Sequence, residues 1–161
     1  MNYNQLKELG IVEERTTEIA EVIALVTRVE RDVAASKLLH DKDEEWAFAA
    51  AYQAIIRSSR ALILAEGFRP KVPRGRDAHR AIVMAVGVIL GDQHKSLINK
   101  FDRMRRKYHS LMDDAGKIIS RYEAGQAIKD AEEFISLVNG RIREKYSQLS
   151  LLNDVPQLVS R

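Results

Sequence analysis

Hydrophobic residues recur every three or four positions along almost the whole chain, and no segment alternates with period two. This spacing is typical of helices that bury one face. The predicted helices cover about 3–9, 13–39, 44–66, 78–90, 92 to 108 or 111, and a last stretch from Ser120 to Ile142. The pattern therefore predicts that the chain is helical throughout.

The breaks between these helices carry residues that start and stop helices. Gly10, Gly67, Gly91 and Gly116 each follow or separate a periodic segment, as terminating glycines do. Asp43, Asp77 and Asp92 each precede a segment and are expected to be N-caps. Ser120 and Glu123 have the spacing of a capping box.

Two of the helices have informative faces. The apolar stripe of the second is expected to comprise Ile19, Val22, Ile23, Val26, Val29, Val33 and Leu38. The third is rich in alanine, and small side chains let neighbouring helices approach closely. We therefore expect the third helix to be the central one of a bundle.

These elements predict an all-α fold, an antiparallel helical bundle of four to five core helices with an N-terminal extension. A chain of 161 residues suits a single domain over 1–161. Within it, 1–40 supplies N-terminal helices, 44–142 the core and 153–161 a loose tail without periodicity. The longest break, 67–77, holds two of the three prolines.

Composition narrows the class of protein. There is no cysteine, which excludes disulfides and thiolate metal sites, and no apolar run is long enough to span a bilayer. The N-terminus lacks the plan of a secretory signal, so we expect a cytoplasmic protein without a membrane partner. No Glu-x-x-His pair and no glycine-rich phosphate loop is present, so we expect neither a metal site nor a cofactor.

Basic residues collect in two places although the net charge is only +3. One cluster lies within 69–80 and the other within 100–107. A fold that brings the two together would create a surface that attracts phosphate. Two separate solvated faces are the competing interpretation, and the pattern alone leaves both open.

Three segments in order resemble the HEPN domain family of small helical proteins. The first is AYQAIIRSSRALILAEGFRP at 51–70, and the second is Ala78-His79-Arg80. The third is FDRMRRKYHSLMDD at 101–114, followed by EAGQAIKDAEEFISLV at 123–138. The resemblance covers about 44–142 and implies a HEPN-like bundle.

The resemblance also implies a chemistry, because such proteins commonly cleave RNA without a metal through an Arg-x4-6-His motif. Arg103 and His109 have this spacing and are the predicted catalytic residues. Histidine moves a proton near neutral pH, arginine stabilises a crowded phosphate, and RNA supplies the 2′-OH nucleophile. The predicted phosphate- or RNA-binding residues are Arg105, Arg106, Lys107 and Asp113, of which Asp113 has helix capping as its alternative role.

The implied partners are RNA, a second copy of the chain and a minimal nucleotidyltransferase-type antitoxin. Tyr108 and Met112 stand where the relatives often carry an arginine and a tyrosine. This departure favours the alternative hypothesis, a catalytically decayed HEPN protein that binds a nucleotidyltransferase or a nucleotide without cleaving RNA. A third hypothesis is an unrelated helical scaffold.

Three further polar residues are interpreted as structural at this point. Tyr52 lies on the alanine-rich helix and is expected to belong to the core. His79 is expected to cap or pack at the start of its helix. On a central helix the charge of Arg60 must be paired or line a cleft, but the residue falls outside the apolar stripe, which favours exposure to solvent.

Overall fold

The computed structural model describes residues 1–114 and 118–146. The predicted all-α class is confirmed, since six α-helices account for most of the described chain. The helices are α1 (Tyr3–Glu8), α2 (Ile19–Leu39), α3 (Glu44–Ala65), α4 (Gly75–Leu90), α5 (Lys95–Asp113) and α6 (Arg121–Lys145), with two short strands β1 (Val12–Glu14) and β2 (Phe68–Pro70).

Helix α3 is the centre of the bundle, as its composition predicts, and packs against α2, α4, α5 and α6. Fourteen of its side chains are buried, among them Ala47, Ala51, Ala54 and Ala61. These small side chains let α2 and α6 lie close along α3. Helix α2 contributes Val22, Val26 and Val29 to the same core.

Polar contacts also join α2 to α3. The hydroxyl of Ser36 donates a hydrogen bond of 2.7 Å to the carbonyl of Ala47, and both residues are buried. Further along, Arg57 of α3 pairs with Asp32 of α2. Helix α2 is therefore part of the bundle and not only an N-terminal extension of it.

The predicted start of the second helix at about residue 13 is wrong. The helix begins at Ile19, and Val12–Glu14 forms a strand antiparallel to Phe68–Pro70, with Val12 opposite Pro70 and Glu14 opposite Phe68. Three residues are too few for alternation to be recognised in a sequence. Leu38, expected in the buried stripe of α2, is 76% exposed because nine residues at about 100° each place it on the opposite side of the helix from Val29.

Some of the predicted helix caps are confirmed and others are wrong. Asp43 accepts a bond from the backbone N–H of Trp46, and Ser120 and Glu123 bond each other's backbone reciprocally, as predicted. Asp77 is not an N-cap, because α4 already begins at Gly75. Asp92 opens a short 3-10 turn, Asp92–His94, before α5 begins at Lys95.

Some helix ends differ from the predicted ones, and two predictions cannot be compared with the structure. Helix α5 continues to Asp113, beyond its predicted end. The predicted break at Gly116 and the predicted loose tail at 153–161 fall outside the described residues. Among the described helices, no single one is long and apolar enough to cross a membrane; only α4 and 92–113 taken together pass that test, across a bend of 119°.

Candidate functional site

His109 lies in the last turns of α5, beside His79 near the start of α4. Their ring centroids are 5.0 Å apart and the ring planes are tilted by 43°. The Nε2 atom of His109 is buried and has no hydrogen-bond partner in the described part of the chain. Since a buried polar atom without a partner is costly, this nitrogen is a feature that a ligand could satisfy.

Aromatic side chains pack beside the ring of His79. The hydroxyl of Tyr52, on α3, shares a hydrogen bond of 2.9 Å with Nδ1 of His79. The Tyr52 ring lies 4.4 Å from the ring of Tyr108, whose hydroxyl accepts a bond of 2.8 Å from Gln53. Tyr52 is fully buried, which confirms its prediction as a core residue, and its hydroxyl fixes one nitrogen of His79.

Three arginines from three elements surround the two imidazoles. Arg105 precedes His109 by one helical turn on the same face of α5, and its side chain is 17% exposed. Arg76 lies at the start of α4, and Arg60 reaches the site from α3. The charges of Arg76 and Arg105 act on His109, and those of Arg60 and Arg105 act on His79.

Carboxylates balance part of this positive charge. Asp102 accepts a bond of 2.8 Å from Nε of Arg105, and Asp113 pairs with Arg76. Arg60 instead donates to the backbone carbonyl of Pro73 at 3.3 Å, and no carboxylate among the described residues pairs with it. Burial lowers the pKa of the Arg60 guanidinium, and the charge of Arg57 lowers it further. The site therefore keeps an excess of positive charge.

The surroundings make both histidines poor at holding a proton. Burial lowers the pKa of His79 to about 4, with smaller effects from His109 and two arginines. Burial also lowers the pKa of His109, and the charges of Arg76 and Arg105 add to this effect. Both rings are consequently neutral at pH 7, the state in which an imidazole accepts a proton.

The predicted site residues do not all lie together. Arg105 and His109 share one face, and Asp113 reaches it through Arg76. Arg103 lies elsewhere, because six residues at about 100° each place it roughly 120° around α5 from His109. It lines a groove between α5 and α6, and so does Lys107, which pairs with Glu123.

Arg106 occupies the exposed side of α5 between these two faces. Its guanidinium lies 3.5 Å from Asp102, which also binds Arg105. The two basic clusters of the sequence thus meet at one point, where Arg76 and Arg105 both approach His109. Of the 69–80 cluster, Arg69 lies elsewhere, where it pairs with Glu13.

Tyr52, His79 and Arg60 were not predicted to be site residues, yet the fold brings His79 to His109 and places Tyr52 and Arg60 close to His79. Arg60 is half-buried, so its predicted exposure is wrong. The available signal was the pairing of two histidine-containing basic segments, Ala78-His79-Arg80 and the stretch that ends at His109. Within the described ranges, no group of three or more His, Asp or Glu side chains is placed to hold a metal ion.

Comparison with known proteins agrees with the helical architecture. The family model described as HEPN domain matches residues 22–142, about three quarters of the chain. Searches of curated proteins and of solved structures gave no match. The match begins inside α2 and ends inside α6, so it includes every residue of the histidine site. The chain therefore belongs to the HEPN domain family, whose members include RNA-cleaving and nucleotide-binding proteins.

Proposed function

We propose that the protein is a metal-independent endoribonuclease that uses His109 as its general base. One observation carries the proposal: a neutral, partly accessible imidazole with a partnerless Nε2 lies near Arg76 of α4 and Arg105 of α5, and Arg60 of α3 lies near the adjoining His79. A base beside fixed positive charge is what transfer of a phosphodiester to the 2′-oxygen of RNA requires.

The reaction would proceed by displacement at phosphorus. His109 takes the proton of the 2′-OH while the 2′-oxygen forms a bond to phosphorus. The bond from phosphorus to the 5′-oxygen breaks, and that oxygen takes up a proton from water. Arg105, with Arg76 and Arg60, stabilises the negative charge on the non-bridging oxygens. The products are a 2′,3′-cyclic phosphate and a 5′-hydroxyl.

His79 would act as a positioning residue. Its pKa of about 4 leaves too little of the protonated form at pH 7 for it to serve as an acid. Its ring packs against His109, and Tyr52 fixes one of its nitrogens at 2.9 Å. His79 therefore holds the imidazole of His109 in one orientation and leaves it neutral.

The cellular role is proposed from the family resemblance. It comprises action as a toxin, pairing of two protomers near the C-terminal end of α5, and control by a minimal nucleotidyltransferase-type antitoxin. The exposed side chain of Met112, 43% accessible at that end of α5, supports an apolar contact there.

A second candidate function has one observation in its favour. Tyr108, which stands where relatives often carry an arginine, is engaged in packing, with its ring on Tyr52 and its hydroxyl on Gln53. That position supplies no charge for a phosphate. A non-cleaving HEPN protein, which binds a nucleotidyltransferase or a nucleotide, would tolerate this change.

The test is cleavage of a labelled total-RNA or tRNA pool in EDTA by the parent protein and by His109→Ala. We expect cyclic-phosphate ends from the parent and a loss of rate of about 10²–10⁴-fold in the variant, the range for removal of a general base. His94→Ala, in the 3-10 turn before α5, is the matched control and should cleave like the parent. A folded parent that leaves all RNA intact would favour the non-cleaving alternative.

A further inference from the structure

A groove between α5 and α6 lies on a different side of α5 from His109. Its cavity measures about 270 Å³, and Phe48 and Met104, both buried, form part of its apolar floor. Arg103 and Lys107 line it from α5, and Tyr122 lines it from the first turn of α6. None of these residues contributes to the histidine site described above.

Two side chains of the groove are available to a ligand. Tyr122 is 79% exposed and makes no hydrogen bond or ring contact with any described residue. Arg103 is exposed and pairs with no carboxylate in the described part of the chain. An exposed aromatic ring costs free energy in water, and an unpaired guanidinium is a preferred partner of phosphate.

The other charged side chains of the groove form ion pairs with one another. Lys107 pairs with Glu123, which also closes the capping box of α6, and Lys100 lies 3.4 Å from Asp130. These contacts hold the two walls together and neutralise one another. The capping box fixes the backbone of the first turn of α6, so Tyr122 is presented from a rigid position.

A basic path links the groove to the histidine site. At about 100° per residue, Arg105 and His109 lie on one side of α5, Arg106 on its exposed side, and Arg103 on the next side round. One third of the circumference of a helix with its side chains is roughly 10–13 Å, a distance that a short stretch of single-stranded RNA spans. Arg106 is exposed along this path.

We propose that the groove is a binding subsite for single-stranded RNA, occupied by a nucleotide a few positions from the one cleaved. The base stacks on Tyr122 above the apolar floor, and Arg103 binds the adjoining phosphate. An aromatic ring beside a cation in a shallow groove suits an unpaired nucleotide, because the bases of a duplex are already stacked. The subsite rests on the proposed function, since it extends the path of the substrate of His109.

The test measures binding of a fluorescent, fully 2′-O-methylated oligoribonucleotide, which lacks the attacking hydroxyl and cannot be cleaved. Tyr122→Ala should weaken binding by about 5–150-fold, the range for loss of one stacked base, and Tyr122→Phe should bind like the parent. Arg103→Ala should weaken binding and reduce the slope of log Kd against log salt by about 0.7, the share of one phosphate contact on a single strand. Trp46→Ala, an exposed aromatic outside the groove, is the matched control.

The outcomes separate the subsite from the ribonuclease proposal. Parent-like binding by both Tyr122→Ala and Arg103→Ala, with cleavage by the parent intact, would overturn the subsite and leave the ribonuclease standing. Weakened binding by both variants would support the subsite even if no RNA were cleaved. If the parent bound no oligoribonucleotide at all, the subsite would fall, and the cleavage assay alone would decide the ribonuclease proposal. Circular dichroism of each variant shows that the helices are retained.

Discussion

His79 and His109 face each other from α4 and α5 with their ring centroids 5.0 Å apart, and neither ring is paired with a carboxylate in the described part of the chain. Histidines that serve as bases are often held by a carboxylate, which favours the protonated ring. Here burial and arginine charges favour the neutral ring. The arrangement therefore suits abstraction of a proton at neutral pH and disfavours the protonated form of both rings.

The first prediction concerns the dependence of cleavage on pH. Because the pKa of His109 lies below its usual value of 6.5, the base is already neutral at pH 7. The rate should rise with pH through an apparent pKa below 6.5 and reach a plateau near neutrality. Single-turnover rates between pH 4.5 and 8 measure this profile. A rate that keeps rising beyond pH 7 would contradict general-base action by His109.

The second prediction separates two arginines of α5. Arg105 lies on the face of His109, so Arg105→Ala should lower the rate at saturating RNA by about 10²–10³-fold, as loss of a donor to a developing oxyanion does. Arg103 faces the groove, so Arg103→Ala should act mainly on the half-saturating RNA concentration. The motif spacing in the sequence predicts the larger rate effect for Arg103. Arg105→Lys, which keeps the charge, distinguishes loss of charge from loss of fold.

A third prediction follows from the position of Arg76. Its positive charge lowers the pKa of His109, so Arg76→Ala should raise that pKa towards 6.5. The titration is read from the ring carbon protons of His109 by NMR, with assignment from His109→Ala. Arg74→Ala, two residues earlier and exposed, is the matched control. A pKa of His109 that stays constant in Arg76→Ala would remove Arg76 from the site.

The fourth prediction concerns stability in acid. The pKa of His79 is about 4 in the folded protein against 6.5 in an unfolded chain, so the unfolded state takes up the proton first. The free energy of unfolding should therefore fall as pH drops from 6.5 to 4, by about 1–2 kcal/mol after allowance for solvent screening.

Urea denaturation at pH 7 and pH 4.5 measures this loss for the parent and for His79→Gln. Glutamine does not titrate, so the variant should lose less stability between the two pH values. It should also be less stable than the parent at pH 7, because glutamine lacks the ring that packs against Tyr52 and His109. An equal loss in both proteins would mean that other groups govern the acid sensitivity.

Much of the fold was predictable because it depends on local chemistry. The alanine-rich composition of α3 indicates its central place, and the carboxylate of Asp43 and the hydroxyl of Ser120 cap the helices that follow them. Asp77 was wrongly predicted to be an N-cap, because aspartate is also common inside the first turn of a helix, where its charge interacts favourably with the helix dipole. The pair of strands β1 and β2 was not predicted, because three residues are too few to show an alternating pattern.

The site was predictable only where it lies within one helix. Periodicity shows that Arg105 and His109 share a face, whereas the motif spacing alone selects Arg103. The neighbours Tyr52, Arg60 and His79 come from other helices, and their approach depends on the angles at which those helices cross. No pattern along one chain encodes such an angle, so His79 and Arg60 were interpreted as structural.

The pairing of β1 with β2 has a consequence for the part of the chain that precedes the family match at residue 22. The backbone N–H of Arg15 binds the carbonyl of Gly67, and that of Lys71 binds the carbonyl of Ile11. The N-terminal segment therefore anchors both ends of β2, and the loop after β2 delivers Arg76 to His109. Leu6 and Val12 also reach the core from this segment, so we expect a partner that displaces the first eighteen residues to disturb β2 and the start of α4, where Arg76 lies.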